Sequence, residues 1–377
     1  MRNGKVILVT NVPSPYRIPL FNLLHEKLRV AGYEFKVLFG SETYSRRRFN
    51  SELNLCRFDY EFINSGKFNL GNDEKTIFTY KGLYSTLIRE KPDCVIINGF
   101  SIGTMLLWFY SAFHRVKKII WTGSVKHKGR NDSFLRLIQR RFLVRGSDAF
   151  ITYGSRAESY LQSLGASEDK IFRAINTVDT EFFSEETIAL RNTIPAEKKK
   201  HLTYIGYLSA RKDVITLLAA IKQLSQKRDD FLLEIIGDGE DKQNLQNFVS
   251  ENRLESFVRF HGFRQKSELP AYLAKSTCFL FQTGFDIWGL VLNEAMASGL
   301  PCICSVNAGA CEDLIREGEN GFIMDYSNTE KLLEKIEFIL DNPEKANAIG
   351  QAARRFIHEN ATLEKSADGF VRAISFV

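Results

Sequence analysis

Two carboxylates eight residues apart, Asp286 and Glu294, are where the chemistry of this chain concentrates. From Ile287 to Leu300 the sequence I-W-G-L-V-L-N-E-A-M-A-S-G-L holds one ionisable side chain, Glu294, in an otherwise apolar stretch. Residues 289–298 have helix-forming composition, with Gly299 and Pro301 as the stop signal. A helix this apolar is buried around most of its circumference. A buried carboxylate without a partner is costly, so Glu294 must meet a donor from the protein or from a ligand. Just upstream, Asp286 and Gly289 prepare a helix N-terminus whose free N–H groups can hold an anion. An anion at the tip and a carboxylate one turn further on suit a nucleotide diphosphate and its ribose. A core helix with Glu294 paired to an arginine or lysine fits the same residues.

The elements that position this stretch follow from hydrophobic patterning. Apolar runs at 6–10, 34–39, 94–98, 118–121 and 149–152 read as parallel strands buried on both faces, separated by helices near 18–30, 80–90, 102–113, 134–145 and 155–164. Tyr16 and Arg17 fall at the carboxyl end of the first strand, where open α/β sheets bind ligands. The polar segment 41–70 reads as a substrate-facing excursion rather than core. A second alternating set begins near 201 and runs through strands at 202–205, 231–236, 258–261, 278–281 and 301–305. The expected architecture is α/β, two Rossmann-like doubly wound domains of similar size facing a cleft, the default site. The boundaries read as domain 1–183, linker 184–200, domain 201–355, and a terminal helix 356–377 that packs back on the first domain.

Charge divides the same way. Residues 1–180 carry 28 Lys+Arg against 16 Asp+Glu, and the remainder 23 against 29. A basic first half faces an acidic partner, an anionic membrane surface or a phosphorylated substrate. The 134–145 helix carries Arg136, Arg140, Arg141 and Arg145 among Phe134, Leu135, Ile138 and Phe142. It either lies against headgroups or packs its apolar face on the sheet, and the second is the favoured expectation. Nucleic acid is excluded for want of an aromatic-rich basic motif or a known module. The run 102–113 is too short to span a bilayer, which takes about 20 residues. The opening M-R-N-G-K-V-I-L-V-T reads as a strand, not a signal peptide. Cysteines 56, 94, 278, 302, 304 and 311 show no metal-ligand spacing and read as reduced core thiols of a cytoplasmic protein.

In the second half four strands end at glycine: Gly206, Gly237, Gly262 and the Gly289 turn. Glycine there lets a ligand or a neighbouring backbone come close. No G-x-G-x-x-G and no P-loop is present, which argues against dinucleotide oxidoreductases and P-loop enzymes.

Y-I-G-Y-L-S-A-R-K (204–212), I-I-G-D-G-E (235–240), V-R-F-H-G-F (258–263), the 285–301 stretch, A-C-E-D-L-I-R-E-G-E-N-G-F-I (310–323) and N-T-V-D (176–179) occur in this order. Together they resemble the retaining glycosyltransferases of family 4, the glycosyl transferases group 1, over roughly residues 120–360. That resemblance implies the GT-B fold and a nucleotide-diphosphate sugar, UDP- or GDP-linked, as donor with no bound cofactor. It implies that Glu294 accepts hydrogen bonds from ribose hydroxyls, that N–H groups of Gly289, Leu290 and Val291 meet the diphosphate, and that Asp286 contacts the donor sugar. Asp286 stands where the family usually has glutamate, one methylene longer. Lys212 matches the family's diphosphate-holding lysine. Its arginine position is Tyr207 here, and Arg211 is the replacement on the other side of the loop. Gly206, Gly237, Gly262, Phe263 and Arg264 complete the donor set, with base recognition by backbone near 261–264. On the acceptor side stand His127, in a loop where the family often has a reaction-centre histidine, with Tyr16 and Arg17.

The function these residues imply is a retaining, metal-independent glycosyltransferase. Its acceptor is a lipid-linked or surface-polysaccharide glycan, met in the cytoplasm at the inner membrane face. Two other readings share the fold: a sugar-nucleotide epimerase or hydrolase, which turns over without acceptor, and a non-catalytic nucleotide-sugar binder.

Overall fold

The computed structural model describes residues 4–42, 51–63, 65–69, 76–126, 133–195 and 198–377. These form two compact units, 1–176 with 363–377, and 177–362.

The first unit is built from β1 (Gly4–Thr10), α1 (Ile18–Val30), β2 (Tyr33–Phe39), β3 (Asp59–Phe62), a hairpin of β4 (Lys67–Asn69) and β5 (Thr76–Phe78), α2 (Leu83–Glu90), β6 (Cys94–Asn98), α3 (Ile102–Ser111), β7 (Lys117–Thr122), α4 (Phe134–Arg145), β8 (Ala149–Thr152), α5 (Ser155–Ser163) and β9 (Ile171–Arg173). Its seven-stranded sheet has the order β3-β2-β1-β6-β7-β8-β9, every pair parallel. The central strands are apolar on both faces because both are covered. Val6 and Leu8 pack with Phe21 and Leu24 of α1, while Ile7 and Val9 pack with Leu83, Leu87 and Leu107.

The second unit runs through α6 (Thr180–Arg191), β10 (Lys200–Ile205), α7 (Val214–Ser225), β11 (Phe231–Ile236), α8 (Lys242–Glu251), β12 (Val258–Gly262), α9 (Leu269–Lys275), β13 (Ser276–Phe281), α10 (Leu290–Ala297), β14 (Cys302–Ser305), α11 (Cys311–Leu314), β15 (Phe322–Met324), α12 (Thr329–Asp341) and α13 (Pro343–Asn360). Its sheet order is β12-β11-β10-β13-β14-β15, again all parallel. The chain leaves β10 outward to β12 and returns beside β10 as β13, so the topological switch point lies between β10 and β13. The last helix, α14 (Leu363–Phe376), belongs to the first unit: Phe370 stacks edge-on against Trp121, 5.0 Å between centroids, and Lys27 reaches Asp368 at 2.7 Å.

Three details differ from the patterning. Segment 41–70 is not wholly an excursion, since β3 extends the sheet and Phe58 and Ile63 beside it are buried. Aromatic contacts of Phe58 with Phe21 and Phe35 outweigh the polar residues around it. Stretch 184–200 is not a linker throughout: α6 continues to Arg191 and β10 begins at Lys200. The polar residues of 184–191 are the outer face of α6, whose Phe183, Ser184 and Thr187 are buried. Finally, the apolar residues of α4 do not all pack on the sheet. Leu143 and Val144 do, whereas Phe134, Leu135, Ile138 and Phe142 are exposed.

Candidate functional site

Of the sequence-predicted residues of the second unit, Arg211, Lys212 and Asp286 meet at the carboxyl ends of β10 and β13. The turn after β10 carries Arg211 and Lys212, and the loop after β13 carries Asp286, so residues 74 apart in sequence meet across the switch point. Lys212 is 7% exposed and forms an ion pair with the Asp286 carboxylate, its ammonium lying 5.6 Å over the Phe281 ring. Hydrogen bonds hold the two loops in register: Phe285 N–H donates to the Arg211 carbonyl at 3.2 Å, Arg211 Nη1 to the Phe285 carbonyl at 2.5 Å, and Gln282 Nε2 to Asp213 Oδ2 at 2.9 Å. Arg211, opposite the tyrosine at 207, therefore adds its charge to this corner and ties the loops together. Burial would raise the Asp286 carboxyl, but the charge and hydrogen bond of Lys212, helped by Arg211 and the Trp288 N–H, hold it below the ordinary carboxylate range.

Gly289 opens α10 with φ +99°, and a side chain there would run into the Phe281 ring. Both facts restrict the position to glycine. The following N–H groups of Leu290 and Val291 have no acceptor among the described residues. Behind them Trp288 Nε1 donates to Asn293 Oδ1 at 3.0 Å, and Asn293, fully buried, reaches Thr177 at 3.4 Å. The Thr187 and Ser298 hydroxyls, 3.0 Å apart, and Arg191 Nη2 on the Ser298 carbonyl at 3.0 Å fix the far end of α10 to α6.

Glu294 sits one turn into α10, half-buried, with Oε2 sealed from water and unpaired. Burial pushes its carboxyl up to about 8, only partly opposed by the charge of Lys266. No arginine or lysine pairs with it among the described residues, so the core-ion-pair alternative is not what the fold contains.

The glycines divide into two kinds. A Cβ at Gly237 would collide with the Gly206 carbonyl. Leu208 N–H on Asp238 O and Gly237 N–H on Gly262 O, 3.0 and 2.9 Å, complete the stacking of these three strand-end loops. Gly206 and Gly237 thus serve loop-on-loop packing, a structural reason beside their assignment to the donor set. Gly262 has open space where a Cβ would point, followed by Phe263, 40% exposed. Arg264 is turned away to Tyr272, Nε to hydroxyl 2.8 Å.

A cluster that the sequence reading passed over ties β10, β11 and β12 together through side chains. Glu234 of β11 lies between His201 Nδ1 of β10 at 2.9 Å and His261 Nε2 of β12 at 2.5 Å. Burial raises this carboxyl, yet the two histidine contacts outweigh it and the net direction is down. A single glutamate inside the apolar strand F-L-L-E-I-I was the available signal.

In the first unit Arg17 is 8% exposed at the start of α1, its guanidinium 4.2 Å over Trp121 and 5.2 Å from the Tyr153 and Tyr16 rings. No carboxylate meets it among the described residues. His127 lies outside the described residues.

Two parallel-sheet α/β units of this kind are the architecture of the GT-B fold. Residues 186–356 match the family model described as glycosyl transferases group 1, and that segment is a group 1 glycosyltransferase domain. The sulfoquinovosyl transferase SQD2 of Arabidopsis thaliana is 30% identical over 224 residues, 57% of this chain and 42% of that protein. The chain spans about half the length of the curated relatives it matches. Among solved structures, sucrose-phosphate synthase from Thermosynechococcus elongatus superposes with TM-score 0.79 at 17% identity, covering 99% of this chain and 98% of its own. Anabaena HepE, in complex with UDP and glucose, gives TM-score 0.78 at 14% identity with complete coverage of both.

Proposed function

We propose that the chain is a retaining glycosyltransferase of family 4 that takes a sugar from a UDP- or GDP-linked donor. The observation that carries this reading is Glu294 Oε2, buried and unpaired one turn behind the free N–H groups of α10. The ribose hydroxyls of a nucleotide supply the missing donors, and the diphosphate supplies the missing anion. In transfer, the bond from the sugar's anomeric carbon to the diphosphate breaks and a bond to an acceptor hydroxyl forms, the hydroxyl proton leaving with the diphosphate. Lys212, held by Asp286, and the N-terminus of α10 stabilise the charge that grows on that leaving group without a metal. Asp286 orients the sugar, and its shorter reach selects which sugar fits. Phe263 and the open backbone after Gly262 offer the base a flat, partly exposed surface.

The acceptor in this proposal is a lipid-linked or surface-polysaccharide glycan, with Arg17, Tyr16 and His127 on its side. The reaction is placed in the cytoplasm at the inner face of the membrane. No helix among the described residues is long and apolar enough to cross a membrane. Thermal-shift measurement against UDP, GDP, ADP and their sugars tests the donor half, because a ligand stabilises only the fold that binds it. One nucleotide class should stand out, and no shift with any of them would overturn the proposal.

A further inference from the structure

On the first unit, α3 and α4 lie side by side, joined by Trp108 against Phe142 at 4.4 Å between ring centroids and by Gln139 Nε2 on Met105 Sδ at 3.1 Å. Each presents an unpartnered apolar stripe at helical spacing. On α3 and its C-terminal turn Met105, Phe109 and Phe113 are 50%, 51% and 68% exposed, at steps of four residues. On α4 Leu135, Ile138 and Phe142 are 76%, 48% and 48% exposed, at steps of three and four. Because Met105 touches Gln139 and Trp108 touches Phe142, the two stripes adjoin and form one ridge. Isolated exposed apolar residues are ordinary, but six large ones on two adjoining helices form a contiguous patch that calls for an occupant.

The charge on the same helices says which occupant. Four arginines and no carboxylate stand on α3 and α4. Arg140 turns inward to the Tyr160 hydroxyl. Arg141 and Arg145 are exposed and meet no carboxylate among the described residues, and Arg115 follows Phe113 at the ridge's end. Apolar stripes bordered by unpaired arginines are the pattern of helices lying in a bilayer interface, the rings among acyl chains and the cations at anionic headgroups.

We infer that the α3–α4 ridge is a docking face for an anionic lipid bilayer. This deepens the proposed function, resting on its reading of a lipid-linked or surface glycan as acceptor, and uses none of the donor-site residues. Docking by this face keeps the chain at the surface that holds such an acceptor.

The test is flotation of the full chain with phosphatidylcholine vesicles, plain or containing about a third phosphatidylglycerol, alongside UDP thermal shift on every sample. The expected result is flotation with the anionic vesicles only, weakened by salt. The Arg141→Gln, Arg145→Gln double variant should lower partition about 25-fold, roughly fivefold per charge. Phe109→Ser with Leu135→Ser, both at exposed positions, should abolish it while leaving the UDP shift unchanged. Absence of vesicle binding in the parent chain, equal binding to neutral vesicles, or concentration-dependent dimerisation through the ridge in its place would each overturn the inference. Flotation without a thermal shift for UDP, GDP or ADP would leave the ridge standing and remove the donor reading.

Discussion

Replacing Glu294 with glutamine separates a carboxylate kept for a ligand from one kept for the fold. Burial pushes this carboxyl up to about 8 from an ordinary value of 4.5. The folded chain therefore retains a proton that the unfolded chain has released, and ionisation works against folding. Below about pH 4.5 both states are protonated and the penalty vanishes; it grows up to about pH 8 and is constant above. At about 1.4 kcal/mol per tenfold change in proton affinity the full offset is at most about 5 kcal/mol, and roughly 3 once water at the half-buried residue screens the charge. Glutamine keeps the shape and removes the penalty. Urea unfolding at about pH 4, 7 and 9 should show no difference at the first, then stabilisation of Glu294→Gln by roughly 2 and 3 kcal/mol. Nucleotide should reverse the ranking. Losing hydrogen bonds from ribose hydroxyls to a carboxylate lowers UDP affinity by about 10–100-fold in the variant. A 2′,3′-dideoxy nucleotide should bind parent and variant alike. A variant that binds UDP as the parent does, or whose stability gain is the same at every pH, refutes the reasoning.

Lys212→Met strands the Asp286 carboxylate and should destabilise the second unit by about 3 kcal/mol, most of it recovered in Lys212→Met with Asp286→Asn, as chemical denaturation of the parent and the two variants would show. Because Asp286 is held below its ordinary range, its share of stability is present at neutral pH and is lost as pH falls below about 4, so an acid titration of the parent should unfold earlier than that of the double variant. Gly289→Ala forces a side chain into left-handed backbone and onto the Phe281 ring; calorimetry should give a loss of about 2 kcal/mol or more, and adding Phe281→Leu should restore only the steric part. Arg17→Gln removes a cation stacked on Trp121, worth about 1–2 kcal/mol, and should alter tryptophan fluorescence while leaving UDP affinity unchanged; loss of UDP binding would contradict its placement on the acceptor side.

The turn that opens α10 is legible in the sequence because its signals are local. Gly289 must be glycine for its own φ, and α10 starts there, so that turn is written in consecutive residues. The isolation of Glu294 in an apolar helix likewise marks it from sequence alone. The His201–Glu234–His261 cluster was not read, since its members come from three strands and meet only through sheet register. Segment 184–200 misled because polar residues look alike in a linker and on the outer face of a helix, and only packing tells them apart.

By itself the sequence determined the alternation of strands and helices, the glycine-ended strands and the two carboxylates, because periodicity and backbone preference act over a few residues. Tertiary structure decided which of these meet. Parallel pairing of β10 with β13 brings Lys212 and Arg211 to Asp286, and the packing around α10 leaves Glu294 Oε2 sealed from water with no partner. It also left the apolar residues of α4 facing outward where the composition favoured the core. A side chain's burial is fixed by what packs against its element, and that contact lies far away in sequence.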